Sequence, residues 1–530
     1  MEPTVGPMPC CRMISRVIFV WFNSLYMVCM MAKMNKKLVS GLLSFVTLFG
    51  GMGLTGCSDE DGGWPYSVSE ETYYANRFGK DVMNMYYLWN AEIADDLAGW
   101  DAETNTDPIG TVDRIRYHDS NGYIDKWTMM TDDMSSFVSS VGGVSTTFGW
   151  SLTVYLVNQE TKQCAAVVNF VHDDTPAARA GLKRGDILLS IDGQPLTTDN
   201  YLNLYYNTSL STSLGRYNAA DNTIYDVGKT VELTAVNMYE DPVLCDSVYE
   251  FNGKKVGYLA YSAFDLTSIS KLIAVCKDFK AAGVRELVLD LRYNGGGYVL
   301  TENVLASMLA PQQAVASGQV FEREVYNNYL TEYLQKQGAS METCFATDYT
   351  YQNGDEVMNV NTQDANIGLE KIYALIGTGS ASASEALLGG LMPYMDVRLI
   401  GEQSSGKYCT GMMLAAEDAY NEVPEAIRNW GLYVMISIYQ NAAGDTPCMP
   451  DGLRPDVGVD DEPMLAYALG DVNEPLLRQA LTEAGRAYDD APSAVQTRSL
   501  TSRYVQLPGV QKPVFGKRIQ QPVSVGPAVR

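Results

Sequence analysis

Residues 371–394 read KIYALIGTGSASASEALLGGLMPY. The run Lys371 to Ile376 has the length and apolar content of a buried strand, and the apolar spacing from Ser384 to Tyr394 predicts a helix. Only small residues, Gly377 to Ala383, separate the two. A strand passing through a small-residue turn into a helix is the repeating unit of an α/β layer fold. Small side chains let a backbone come close to a substrate, and a hydroxyl in that turn faces the positive end of the helix dipole. The same string also suits an N-cap turn without chemistry.

The pattern continues on both sides. Val256 to Tyr261, Glu286 to Leu291 and Val397 to Gly401 predict strands, and Ser268 to Ala282 and Thr301 to Leu309 predict helices. Strands this continuously apolar are covered on both faces. A polar, Tyr-rich stretch, 318–368, interrupts the alternation as an insertion or cap.

Two strand ends carry further candidate chemistry. Leu289-Asp290-Leu291-Arg292-Tyr293-Asn294-Gly295-Gly296-Gly297 runs from a strand into a glycine loop, whose free N–H groups can stabilise an oxyanion. Neither GxGxxG nor GxxxxGK[ST] is present, which argues against a nucleotide cradle. Gly401-Glu402-Gln403-Ser404-Ser405-Gly406-Lys407 ends in a lysine that becomes a general base if burial lowers its pKa from about 10.4 toward 7–8. Taken alone, such a lysine is a surface cation. The chain has only two histidines, His118 and His172, so a Ser-His-Asp triad would have to use one of them. Lysine is therefore the plausible activator of a serine. Glu385 and Glu402 read as caps or solvated groups.

Upstream, Ser151 to Val157 and Ala165 to Phe170 predict strands, followed by DTPAARAGLKRGDILLSIDG at 174–193. This segment closely resembles a PDZ domain. The resemblance implies that Phe148, Gly149 and Trp150 present backbone N–H groups to a peptide carboxylate beside an open sheet edge. Such a fold also serves as an internal spacer.

In this order behind a PDZ domain, the DLR-x-N-x-GG segment at 290–297, SASASE at 380–385, Gly406-Lys407 and Gly452-Leu453-Arg454-Pro455-Asp456-Val457 resemble the carboxyl-terminal processing (tail-specific) serine proteases. The resemblance spans about residues 69–470. It implies a multidomain α/β protein with a ClpP/crotonase-like protease core. It also implies Ser382 as nucleophile, Lys407 as its base 25 positions later, and the amides of Ala383 and of Gly296 or Gly297 as oxyanion donors. One position departs: the family often carries a glutamine four residues after the lysine, where this chain has Gly411. Lysine orientation then has to come from elsewhere, with Gln403, Ser404 and Ser405 as candidates.

The expected organisation is a helical N-terminal domain at 69–140, a PDZ domain at 141–245, a protease core at 250–475 and a tail at 491–530. That tail has six basic residues, five prolines and no acidic residue, and is expected to be extended or disordered. Residues 34–57, MNKKLVSGLLSFVTLFGGMGLTGC, read as a secretory signal ending in a sequence that resembles the bacterial lipobox. This implies lipid on Cys57 and membrane attachment through it. Residues 1–33 lie upstream of that signal. The acidic tether at 58–68, beginning Ser58-Asp59-Glu60-Asp61, resembles that of Bacteroides-type surface lipoproteins and leans toward the outer membrane.

A net charge of −25 argues against nucleic acid as partner. No CxxC occurs among the ten cysteines, so zinc and thioredoxin-like chemistry lack support. The expected function is a serine endopeptidase acting on extended or C-terminal polypeptide segments, with no metal or cofactor. The alternatives are a catalytically inactive peptide- or ligand-binding lipoprotein of the same fold and a cysteine enzyme using Cys409. Oligomeric state is left open.

Overall fold

A computed structural model describes residues 64–488, 504–508 and 516–521. The signal, Cys57 and most of the acidic tether lie outside the described residues. Residues 64–69 belong to a short unit of their own, in which Trp64 Nε1 donates to the carbonyl of Val68 at 2.7 Å.

The second unit begins with α1 (Glu70–Tyr86), an amphipathic helix that buries Ala75, Phe78, Val82 and Met83. Next come α2 (Pro108–Ile115), β1 (Met129–Thr131) and α3 (Met134–Val141). Asp107 caps α2 by accepting from the amide of Gly110 at 2.8 Å, and Pro108 follows where its missing N–H costs nothing. The apolar faces of these helices join the cluster that contains Leu259, Leu289 and Leu387 of the α/β core.

The PDZ region comprises β2 (Trp150–Asn158), β3 (Gln163–Val171), β4 (Ile187–Leu188), β5 (Ser209–Asn218) and β6 (Thr223–Thr234). They lie side by side in the order β6-β5-β4-β3-β2, all antiparallel, around a separate core that includes Val154, Val168, Leu182 and Leu214.

The main sheet is built from β7 (Val243–Phe251), β8 (Lys254–Tyr261), then after α4 (Ile269–Ala282) β9 (Glu286–Asp290). The glycine loop forms β10 (Gly296–Tyr298) and leads into α5 (Val299–Leu309). The expected insertion supplies β11 (Val320–Tyr326). Then follow β12 (Lys371–Ile376), α6 (Ala383–Leu391), β13 (Asp396–Gly401), β14 (Cys409–Ala415), β15 (Gly431–Asn441), β16 (Val457–Gly458) and α7 (Pro475–Glu483).

Strands run β7-β8-β9-β12-β13-β16, parallel except for β7. Because side chains alternate along a strand, Leu287, Leu289, Ile372 and Ala374 meet α4 on one face, while Val288, Tyr373 and Leu375 meet α7 on the other. Both faces are therefore dry, which is why these strands read as continuous apolar runs.

A second sheet holds β10, β14, β15 and β11, with β1 added to β15. Here the tail departs from expectation. Its described parts form β17 (Val505–Gln506), paired with β2 at the PDZ edge, and β18 (Lys517–Gln520), seated between β10 and β14. Lys517, Arg518 and Ile519 are buried. A polar, proline-containing sequence is ordered at these points because partners elsewhere in the chain take up its hydrogen bonds and charges.

Candidate active site

Ser382 stands at the turn between β12 and α6, with φ +64° and ψ −113°. Positive φ in a residue with a Cβ costs about 1–3 kcal/mol and is kept where the surroundings impose it. The surroundings are Gly296 and Gly297, at φ +108° and +146°. A Cβ on Gly296 would stand 2.9 Å from Ser382 Cβ, and one on Gly297 would stand 2.3 Å from the carbonyl oxygen of Phe264. Glycine is required at both positions so that the loop can touch the serine turn.

Glu385, three residues into the turn, ties the serine to the lysine loop. Its Oε2 accepts from the amides of Ser382 (2.8 Å) and Lys407 (2.9 Å), and its Oε1 from the amide of Gly406 (2.7 Å) and Ser404 Oγ (2.5 Å). Burial pushes this carboxyl up to about 7 against those four donors. Glu385 is thus a cap, as its position suggests, but a buried one that joins two loops.

Lys407 is completely buried, and among the described residues no carboxylate lies within ion-pair distance of its ammonium. Burial, and secondly the positive charge of Lys517, hold its pKa well below the usual lysine range. Nζ donates to the hydroxyl of Tyr433 at 2.8 Å, and that hydroxyl donates to the carbonyl of Arg518 at 3.1 Å. The ring of Trp127, from the segment ahead of β1, covers Nζ at 5.4 Å. Ser382 Oγ is buried and has no hydrogen-bond partner among the described residues. The Ser–Lys hydrogen bond is therefore not formed in this structure, although both backbones share one carboxylate oxygen.

Position 411 explains how the lysine is held. A Cβ on Gly411 would lie 2.4 Å from Tyr433 Cζ and 2.5 Å from Met435 Cε. The Tyr433 ring fills the space that a side chain there would need, and its hydroxyl meets Nζ. The candidates expected for this task are engaged elsewhere: Gln403 donates to the carbonyl of Asp451, Ser404 to Glu385, and the Ser405 amide to the carbonyl of Ser380.

The amide of Gly296 donates to Asn294 Oδ1 at 2.9 Å, so of the two glycines Gly297 is the better oxyanion candidate. Ala383 opens α6, where the amide has no acceptor within the helix. In the PDZ region Phe148 and Trp150 are buried against each other, 4.9 Å between ring centroids, and the Gly149 amide donates to Thr147 Oγ1 at 2.8 Å. These three residues build the corner from which β2 starts, while the edge of β2 that takes up an added strand, here β17, lies further along, at Val154 to Leu156.

Neither histidine bonds Ser382: His118 faces the carbonyl of Arg116 and His172 that of Asp241. Cys409 is buried and its thiol is pushed well up by burial, which removes the thiolate that a cysteine enzyme needs. Cys164, Cys245, Cys276, Cys409 and Cys448 are free thiols.

A buried lysine and a strained serine turn thus share one carboxylate, on an α/β sheet with a PDZ region before it in the chain. Residues 255–459 match peptidase family S41, and residues 167–204 match the PDZ domain. One region of the chain is thus similar to S41 peptidases and another to PDZ domains. It is 25% identical over 303 residues to a carboxyl-terminal-processing protease of Picosynechococcus, covering 56% of this chain and 60% of that one. Similarity to a carboxy-terminal-processing protease of Bartonella bacilliformis is 25% over 300 residues, 54% of this chain and 57% of the other. The chain therefore spans about three fifths of the length of these curated relatives. A solved Bacteroides fragilis structure assigned to the S41 proteases superposes with a TM-score of 0.61 at 22% identity, over 77% of this chain and 96% of that one, which speaks to the fold.

Proposed function

We propose that this chain is a serine endopeptidase working through Ser382 and Lys407 on polypeptide segments brought in along the PDZ edge. The observation that carries the reading is Lys407: it is buried, has no carboxylate at its ammonium among the described residues, and stands on a loop that shares Glu385 with the Ser382 turn, which with its depressed pKa supports a base rather than a structural cation.

Neutral Lys407 takes the proton of Ser382 Oγ as that oxygen attacks the scissile carbonyl carbon. The amides of Ala383 and Gly297 stabilise the oxyanion. Lysine then gives its proton to the departing amine, and water, deprotonated by the same lysine, releases the acyl group and restores the serine. Because the Tyr433 proton is donated to a backbone carbonyl of the strand seated between β10 and β14, in this structure that of Arg518, its oxygen accepts from Nζ and leaves the lysine lone pair free. Tyr433 is a positioning residue in the place of the missing glutamine. We further propose, from the sequence of residues 34–57, that the protein is a lipoprotein of the cell envelope, held to its membrane through Cys57.

The test is digestion of an unfolded protein by the purified chain beside Ser382→Ala, with fragments read by mass spectrometry. Cleavage by the parent and none by the variant is the expected result; equal cleavage by both overturns the reading. Tyr433→Phe is expected to lower kcat by about 10², the usual effect of a small misplacement of a reacting group. It also removes an acceptor that favours the ammonium form, so the acid limb of the pH–rate profile moves to lower pH. A purely structural role for Tyr433 would lower kcat without moving that limb.

A further inference from the structure

The tail docks at two places. Val505 and Gln506 pair antiparallel with Leu156 and Tyr155 on the β2 edge, and the Leu507 amide continues the ladder to the carbonyl of Val154 at 2.8 Å. The Leu507 side chain packs on the PDZ core, and Tyr201 donates to the carbonyl of Pro508 at 3.0 Å. This is strand addition to an open edge, by the chain itself.

Further on, β18 lies parallel to β10, with Lys517 opposite Gly296, Arg518 opposite Gly297 and Ile519 opposite Tyr298. On its other side Ile519 and Gln520 pair with Gly411 and Met412. The point where a Cβ on Gly296 would stand is 2.5 Å from the Lys517 carbonyl oxygen and 2.9 Å from Ser382 Cβ. The Lys517 carbonyl therefore sits at the serine turn, and the bond that follows it is Lys517–Arg518.

The next side chain is read by three carboxylates that belong to the core. Arg518 Nε donates to Glu302 at 2.7 Å, Nη1 to Glu324 at 2.5 Å, and Nη2 to Glu302 at 3.2 Å and to Glu322. Glu302 comes from α5, Glu322 and Glu324 from one face of β11. Thr410 and Ser437 hold Glu324 in place at 2.6 to 3.1 Å. Burial pushes Glu302 and Glu322 upward, and the guanidinium offsets this. Three buried acids converging on one spot have no structural use without a cation to occupy it.

We propose that the slot between β10 and β14 is the seat of the substrate strand, that the Glu302–Glu322–Glu324 pocket selects an arginine just after the scissile bond, and that the chain's own tail occupies both this slot and the PDZ edge as an internal competitor. The proposal rests on the peptidase reading for its chemistry, but the slot itself is a binding site that can be tested without turnover. The acid-free tail of a chain with net charge −25 is a fitting occupant for an acidic pocket.

The test uses the full chain. Binding of the peptide Gly-Lys-Arg-Ile-Gln-Gln, the sequence of residues 516–521, is measured on Ser382→Ala and on Ser382→Ala with Arg518→Ala. The double variant is expected to bind it at least about 30-fold more tightly than the single one, and to prefer it by a similar factor over the peptide with alanine for arginine. Leu507→Asp, remote from the pocket, is expected to raise kcat/KM on an arginine-containing substrate by about tenfold, the effect of roughly 1.4 kcal/mol of lost tail docking. Should the Arg518→Ala chain fail to fold, the Leu507→Asp result decides. A folded double variant that binds neither peptide, or both equally, overturns the proposal, as does unchanged or reduced kcat/KM in Leu507→Asp; β18 is then a fixed strand of the sheet. Arginine-dependent binding without cleavage by any form retains the slot and removes the peptidase reading. Cleavage without such binding does the reverse.

Discussion

Lys407→Met is expected to lower kcat by about 10⁴, the scale seen when one member of a serine–base unit is removed, and at the same time to raise the melting temperature at pH 7. The two effects have one cause. Nζ is buried beneath Trp127 and Tyr433, with Lys517 nearby, and each unit by which its pKa falls below about 10.4 costs about 1.4 kcal/mol of folding free energy at a pH below both values. Methionine keeps the length of the side chain and needs no solvation. At neutral pH the unfolded chain binds a proton at Lys407 that the folded chain holds less readily, so this group's contribution to stability rises with pH toward about 10.4. In Lys407→Met that rise is gone. Thermal unfolding of both forms between pH 6 and 10 checks it: the variant should start higher, and the parent should close the gap as pH increases. A variant less stable than the parent at pH 7 would mean that the lysine is a structural cation.

What could be read from the sequence and what could not divide along a physical line. The strands from Val256 to Gly401 were legible because burial on both faces leaves an unbroken apolar run, and the serine turn because a strand, small residues and a helix stand next to each other in the chain. Ser382 and Lys407 followed from spacing within a resemblance. Tyr433 did not: it reaches Lys407 from β15, whose pairing with β14 no local pattern announces, and the only signal was the side chain lacking at Gly411. Arg518 was hidden for the same reason. Lys517-Arg518-Ile519-Gln520 reads as a solvated basic stretch, and only its contact with Glu302 and Glu324, about two hundred positions earlier, turns a charge into core. The alternation of Glu322 and Glu324 along β11 places both on one face, a pattern that marks a charged face of a strand but not what lies opposite.

Arg292→Met is expected to destabilise the fold by about 3–5 kcal/mol, the cost of leaving buried carboxylates without their cation. Arg292 is 1% exposed and donates to Asp290 at 2.8 and 2.9 Å, to Glu474 at 2.6 and 3.0 Å, and to Asp461 at 3.1 Å. By comparison, Arg428, half-exposed and paired with Glu417 and Glu425, should cost less than about 1 kcal/mol when removed. The network also carries a pH signature. Burial raises the carboxyl of Asp461, but Arg184 and Arg292 outweigh it and hold it at about 2. A depressed carboxyl adds stability above about 3.9 that is lost as pH falls toward 2, so the parent's advantage over the variant should be complete at neutral pH and shrink as pH falls through that window. Urea unfolding at pH 7 and at pH 3 reads both effects. Because the unpaired carboxylates carry the cost, adding Glu474→Gln to Arg292→Met should recover part of the loss, whereas a simple packing defect would gain nothing from it. Arg292 begins the loop that ends in Gly296 and Gly297, and Arg184 reaches the same Asp461 from the PDZ region at 2.6 Å. The charges that fix the fold at this point therefore also fix where the glycine loop meets Ser382, and kcat of the variant should fall even under conditions where it remains folded.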